Sequence, residues 1–151
     1  MAAQEKTGSC ERRLVLSNNL SELDRLAAFA RDIGRDDGLD EDRVFALQLC
    51  LEEAVTNIIM HGSAQEGSGK HIWVTIAQAA PCLVACLEDD GSPFDPTKVP
   101  PPQQPRSLEE APVGGLGVHL IRKLTTDMHY ERIGGRNRLI LEFGPSAGRP
   151  A

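Results

Sequence analysis

Seven of the ten prolines and four of the fourteen glycines fall between residues 91 and 117. Proline lacks the N–H that helices and interior strands need, and glycine weakens both, so no regular core element runs through this stretch. A connection of that length in a 151-residue chain is either functional or disordered. The rest must build its core from two separate blocks, 11 to 90 and 116 to 144, each read on its own periodicity.

In the first block, ERRLVLSN reads as a short strand ending near Asn18. Leu20, Leu23, Leu26, Ala27, Ala30 and Ile33 then recur at three and four, predicting an amphipathic helix over 20 to 36. Asn19 or Ser21 suits its N-cap, and Gly38 its end. Asp40 can cap a second helix with Val44, Leu47, Leu51, Val55 and Ile58 as its apolar stripe, running to His61-Gly62. After the turn SAQEGSGK, HIWVTIAQ and CLVACLED read as a hairpin joined at Ala79-Ala80-Pro81. The second block opens with a helix through Leu116, Val118, Leu120, Ile121 and Leu124, followed by DMHYERI, a Gly134-Gly135 turn and NRLILEF. The order β, α, α, β, β, loop, α, β, β predicts an α/β (α+β) two-layer sandwich: a mostly antiparallel mixed sheet with helices on one face. Residues 11 to 144 form one domain between short tails at 1 to 10 and 145 to 151.

Charge narrows the function classes. Sixteen Lys and Arg against 22 Asp and Glu give a net charge of -6, which lacks the broad basic field of a nucleic-acid or anionic-membrane binder. Residues 114 to 151 depart from this, with 6 basic and 3 acidic groups. MAAQEKTGSCERR has no apolar leader core, and the apolar runs fall short of the ~18 residues of a membrane span, so a cytoplasmic protein is expected. Cys10, Cys50, Cys82 and Cys86 show no CxxC spacing, which suits reduced thiols better than zinc or disulfides.

Three constellations carry chemistry. In LCLEEAVTNIIMHG, Glu53 and Asn57 are four apart and share a helical face, and Asn57 is a poor helix former inside an apolar run. The pair suits a solvated face, but equally a cleft where a carboxylate activates a hydroxyl or water and an amide oxygen helps hold Mg²⁺. In LEDDGSPFDP, strand alternation places Asp89 on the side of Leu83, Ala85 and Leu87. An inward Asp89 can accept from an exocyclic amine such as that of adenine, and Gly91 lets a flat ring approach the backbone, though Asp-Asp-Gly also starts ordinary turns. In VGGLGVHLIRKL, three glycines in four positions precede a helix whose free N–H groups suit phosphate; a plain hinge would look the same. The Pro-rich stretch before it, with Arg106, is placed to act as a lid over a nucleotide.

Together, EEAVTNIIMHG, DDGSPFDP, GGLGVHLIRKL and the closing GGRNRLIL resemble the N, G1 and G2 boxes and last hairpin of the GHKL superfamily, the Bergerat-type ATP-binding fold of gyrase, Hsp90, histidine kinases and MutL. The likeness covers roughly 11 to 144 and is strongest to the stand-alone anti-sigma factor serine/threonine protein kinases. It implies Glu53 as general base for the attacking hydroxyl, Asn57 as Mg²⁺ ligand, Asp89 at the adenine amino group and Gly91 beside the ring. Gly114, Gly115, Leu116, Gly117 and Val118 would wrap the phosphates, with 95 to 113 as ATP lid. Many relatives place a threonine near the adenine where this chain has Asn137 and Arg138, so that contact stays unassigned.

The resemblance further implies phosphoryl transfer from ATP to a STAS-domain anti-anti-sigma protein, reversed by a PP2C-type phosphatase. It also implies a sigma factor as a second partner and a homodimer through the first strand and helix. Glu53 favours a kinase over the alternative, an ATP-binding module that sequesters its partner with little or no transfer. A sensor histidine kinase would need a phospho-acceptor helix upstream, for which the ten-residue tail leaves no room.

Overall fold

A computed structural model describes residues 11–62, 71–100 and 116–145 of the chain. Five strands, β1 (Glu11–Ser17), β2 (His71–Ala79), β3 (Cys82–Asp89), β4 (Asp127–Ile133) and β5 (Arg136–Phe143), form one sheet in the order β1-β2-β3-β5-β4. All four pairings are antiparallel, which sharpens the mostly antiparallel expectation. The helices are α1 (Leu23–Asp36), α2 (Glu41–Gly62) and α3 (Leu116–Leu124).

Local chemistry sets the element ends. The Asn19 side chain accepts from the Ser21 N–H at 2.9 Å and caps a one-turn 3-10 segment, Leu20–Glu22, that leads into α1. Helix α1 stops where Gly38 takes φ +66, a left-handed conformation that lets the Leu39 N–H return to the Gly34 carbonyl at 2.9 Å. The Asp40 carboxylate accepts from the Arg43 N–H at 2.8 Å and starts α2. Gly134 and Gly135, at φ 59 and 75, form the two-residue turn that matches the twist of β4 and β5.

Every second strand residue enters the core. Leu16, Ile72, Val74, Ile76, Leu83, Ala85, Leu87, Leu139, Leu141 and Phe143 bury one sheet face against Leu26, Ala30 and Ile33 of α1, Leu47, Leu51 and Val55 of α2, and Ile121 of α3. Helix α2 is long and apolar enough, by length and composition, to cross a membrane. Here Leu47, Cys50, Leu51, Ala54 and Val55 spend that apolar character in the core. Cys50 is free there, its thiol pushed up to about 12 by burial and the nearby Glu53 charge; Cys82 and Cys86 are also free, while Cys10 lies outside the described residues.

The other sheet face is polar at the β5 end. Arg136 lies 4.0 Å over the Trp73 ring and 3.6 Å from Glu88, while Arg138 joins Glu88 at 3.6 Å and Glu131 at 3.3 Å. At the opposite edge, Arg12 of β1 reaches Asp36 at 3.1 Å and Asp37 at 3.3 Å, tying the edge strand to the end of α1.

Leu51 is fully buried on the stripe of α2, whereas Phe45 on the same helix is 63% exposed. Leu51→Ala is therefore expected to cost about 2–5 kcal/mol in urea unfolding, and Phe45→Ala about 0.5 kcal/mol or less. Equal losses would show that α2 does not sit on the sheet as described.

Candidate active site

Asp89 closes β3 and is 3% exposed, on the inward side that alternation predicts. Its Oδ1 accepts from the Gly91 N–H at 2.9 Å and from the Asn137 side-chain amide at 3.0 Å. Burial raises the Asp89 pKa above the ordinary carboxylate value; these two hydrogen bonds and the Arg132 charge pull it back without cancelling the rise. Gly91 is held from both sides, since its carbonyl accepts from Arg132 at 3.0 Å. Positive φ occurs at Gly38, Gly134 and Gly135 but not at Gly91.

Asn137, the register partner of Asp89 on β5, is 6% exposed and fully engaged. Its amide nitrogen donates to Asp89 and, at 2.8 Å, to the Ser92 carbonyl. Its oxygen accepts from the Phe94 N–H at 3.2 Å, the Tyr130 hydroxyl at 2.5 Å and Arg132 at 3.1 Å. Two acceptors around the nitrogen and three donors around the oxygen fix which end of the amide is which.

These groups form one side of a partly open pocket lined by apolar and polar side chains of α2, β3, α3, β4 and β5. Asn57 and His61 of α2 line it with Asp89, Ser92, Phe94 and Asn137, so Asn57 and Asp89, far apart in sequence, meet at one cavity. Among the described residues, the Asn57 side-chain nitrogen and the Ser92 hydroxyl are buried with no hydrogen-bond partner. Each such atom costs about 1–3 kcal/mol, and two on the walls of one pocket point to a polar ligand. His61 and Phe94 stack at 4.2 Å between centroids and 12° between planes, joining the end of α2 to the loop after β3.

Glu53 is half-buried one turn before Asn57 and does not line this pocket. It lies against the start of α3, where a Cβ on Gly117 would overlap its carboxylate. Glycine at 117 lets the Glu53 carboxylate approach the first turn of α3 this closely, and a side chain there would displace the carboxylate. Leu116 opens α3, and the Val118 side chain is buried. Gly114 and Gly115 lie outside the described residues.

Of the expected lid, 95 to 113, only 95 to 100 is described. Asp95 accepts from the Thr97 N–H at 2.8 Å, and Arg122 of α3 donates to the carbonyls of Thr97 at 2.8 Å and Val99 at 2.7 Å, so this first part is a pinned turn. Sequence reasoning did not assign Ser92, Tyr130, Arg132 or Asn137. The available signal for Asn137 was an inward polar position in the otherwise alternating NRLILEF.

The model of the histidine kinase-like ATPase domain matches residues 16–143. Serine/threonine-protein kinase BtrW of Bordetella bronchiseptica is 35% identical over 97 residues, covering 64% of this chain and 68% of that one. A crystal structure of the RsbU and RsbW domains of a Mycobacterium tuberculosis protein superposes with a TM-score of 0.64 at 18% identity, over 89% of this chain. This chain spans about a third of that longer one, 32%, and at such identity the likeness concerns the fold. From the family match and the kinase relative, the chain belongs to the histidine kinase-like ATPase domain family and is, at family level, a kinase-type ATPase.

Proposed function

We propose that this chain is an ATP-dependent serine/threonine protein kinase and anti-sigma-type regulator that phosphorylates a STAS-domain antagonist in a partner-switching system. The observation that carries this reading is the convergence of Asn57 and Asp89 on one pocket with unpartnered buried polar atoms, with Glu53 one turn away against the start of α3. The kinase relative supports the reaction class, and the RsbW-domain likeness supports the fold.

In this reading Asp89 accepts from the adenine amine, and the first-turn N–H groups of α3, with Gly114 and Gly115 before them, hold the phosphates. Glu53 orients the incoming hydroxyl and accepts its proton late, since phosphoryl transfer depends mainly on alignment and charge neutralisation. The donor set suits Mg²⁺. Mg²⁺ takes few protein oxygens and keeps the rest of its shell for water and substrate phosphate. The Asn57 oxygen is a hard ligand of that kind, and its buried unpartnered nitrogen has a phosphate oxygen to meet. When bound, the ion supplies neutralisation of phosphate charge. Residues 95 to 113 act as lid, a sigma factor is the second partner, a homodimer is the working assembly, and the setting is cytoplasmic.

Transfer of radiolabel from the ATP γ-phosphate to a STAS protein encoded beside this chain tests the proposal. ATP binding without transfer would leave a sequestering module instead. Glu53→Gln is expected to keep ATP affinity within about twofold while lowering transfer at least ~10²-fold, whereas Asn57→Ala loses Mg²⁺-ATP binding as well. Equal transfer by wild type and Glu53→Gln would remove the base assignment. Gly117→Ala pushes the Glu53 carboxylate aside, so kcat is expected to fall more than the KM for ATP rises; a change confined to KM would place Gly117 in binding alone.

A further inference from the structure

We infer that Asn137 is a positioning residue that sets purine selectivity: it turns Asp89 and Ser92 into a two-point reader of the amidine edge of a 6-aminopurine. The inference rests on the nucleotide-binding reading above and deepens it.

Asn137 spends all its hydrogen-bonding capacity on the protein, so it has nothing left with which to touch a ligand. What it leaves unspent on its neighbours is informative. At Asp89, Oδ1 takes both the Asn137 and Gly91 donors, and Oδ2 has no partner among the described residues although Asp89 lines the pocket. At Ser92, the carbonyl is held by the Asn137 nitrogen while the hydroxyl is buried and unpartnered on the same pocket.

The pocket thus presents a carboxylate oxygen that can only accept and a hydroxyl that can donate or accept. A 6-aminopurine offers an amine donor and a ring-nitrogen acceptor side by side, which satisfies both. A 6-oxopurine turns a carbonyl oxygen toward the carboxylate, and two acceptors face each other. The hydroxyl adapts by rotation and the carboxylate cannot, so discrimination falls on Asp89. Asn137 makes that discrimination sharp by holding Oδ1 back. Without it, the carboxylate is free to rotate or to take up a proton on either oxygen, and a protonated oxygen can donate to the 6-oxo group. Tyr130 and Arg132 hold the Asn137 amide in the orientation this needs, by donating to its oxygen.

The test is equilibrium binding of ATP and inosine triphosphate to the full chain, with thermal melting as a folding control. Wild type is expected to prefer ATP by at least ~10-fold, the equivalent of about 1.4 kcal/mol. Asn137→Ala should bring the two affinities to within about twofold, chiefly by weakening ATP, and Tyr130→Phe should move the ratio part of the way. Ser92→Ala should weaken both nucleotides by roughly the same factor without lowering the melting temperature, because its hydroxyl bonds nothing in the protein. A folded Asn137→Ala with the wild-type ratio overturns the inference while leaving ATP binding intact. Should Asn137→Ala fail to fold, an unchanged ratio in Tyr130→Phe overturns it equally. Wild type that binds neither nucleotide overturns the nucleotide-binding reading, and this inference with it.

Discussion

Seating α2 on the sheet is the constraint from which the site follows. Leu47, Leu51 and Val55 must face the strands to be buried, and at 100° per residue that choice fixes where every other α2 side chain points. Ala54 and Asn57 are carried to the flank nearest the end of β3, and Glu53 to the start of α3. No loop positions these groups; the core does. A helix that carries site residues on its buried side has little rotational freedom, which suits chemistry dependent on alignment.

The fold was legible because its signals are local. Helix and strand periods, the Asp40 cap, and Gly38 and the Gly134-Gly135 turn at positive φ are each decided within a few residues. Asp89 was legible too, since alternation with Leu83, Ala85 and Leu87 determines its side of the sheet. Asn137 was not, because its meaning depends on the β3–β5 register that sets it opposite Asp89. Gly117 illustrates a different gap. Its place in a glycine-rich loop suggested backbone freedom, but the structure puts the Glu53 carboxylate where its side chain would be. Loop glycines and close-approach glycines look alike in one dimension.

The buried polar cluster around Asn137 works against stability and in favour of specificity. Asp89 gives up hydration on entering the sheet, as its raised pKa records, and recovers part of that from Asn137, the Gly91 N–H and the Arg132 charge. Such networks are costly when incomplete and rigid when complete. This one is complete around Asn137 and incomplete at the cavity, at Ser92 and Asn57. Of the three buried unsatisfied side-chain atoms among the described residues, those of Ser92 and Asn57 lie at the pocket, while Arg43 Nε lies away from it.

The Gly134-Gly135 turn touches none of this directly, yet it sets the β4–β5 pairing, with Ile133 opposite Arg136 and Arg132 opposite Asn137. A turn longer by one residue would shift β5 against β4 or bulge the hairpin, and side chains of a strand change faces with each single step. Because β5 is held by its pairing with β3 and by buried Leu139, Leu141 and Phe143, that shift would fall on the edge strand β4 and carry Tyr130 and Arg132 away from the Asn137 oxygen. The hold on the Asn137 oxygen is therefore set by the length of a hairpin turn. Among homologous chains, insertions at that turn should be rare, although the turn lies outside the lining of the pocket.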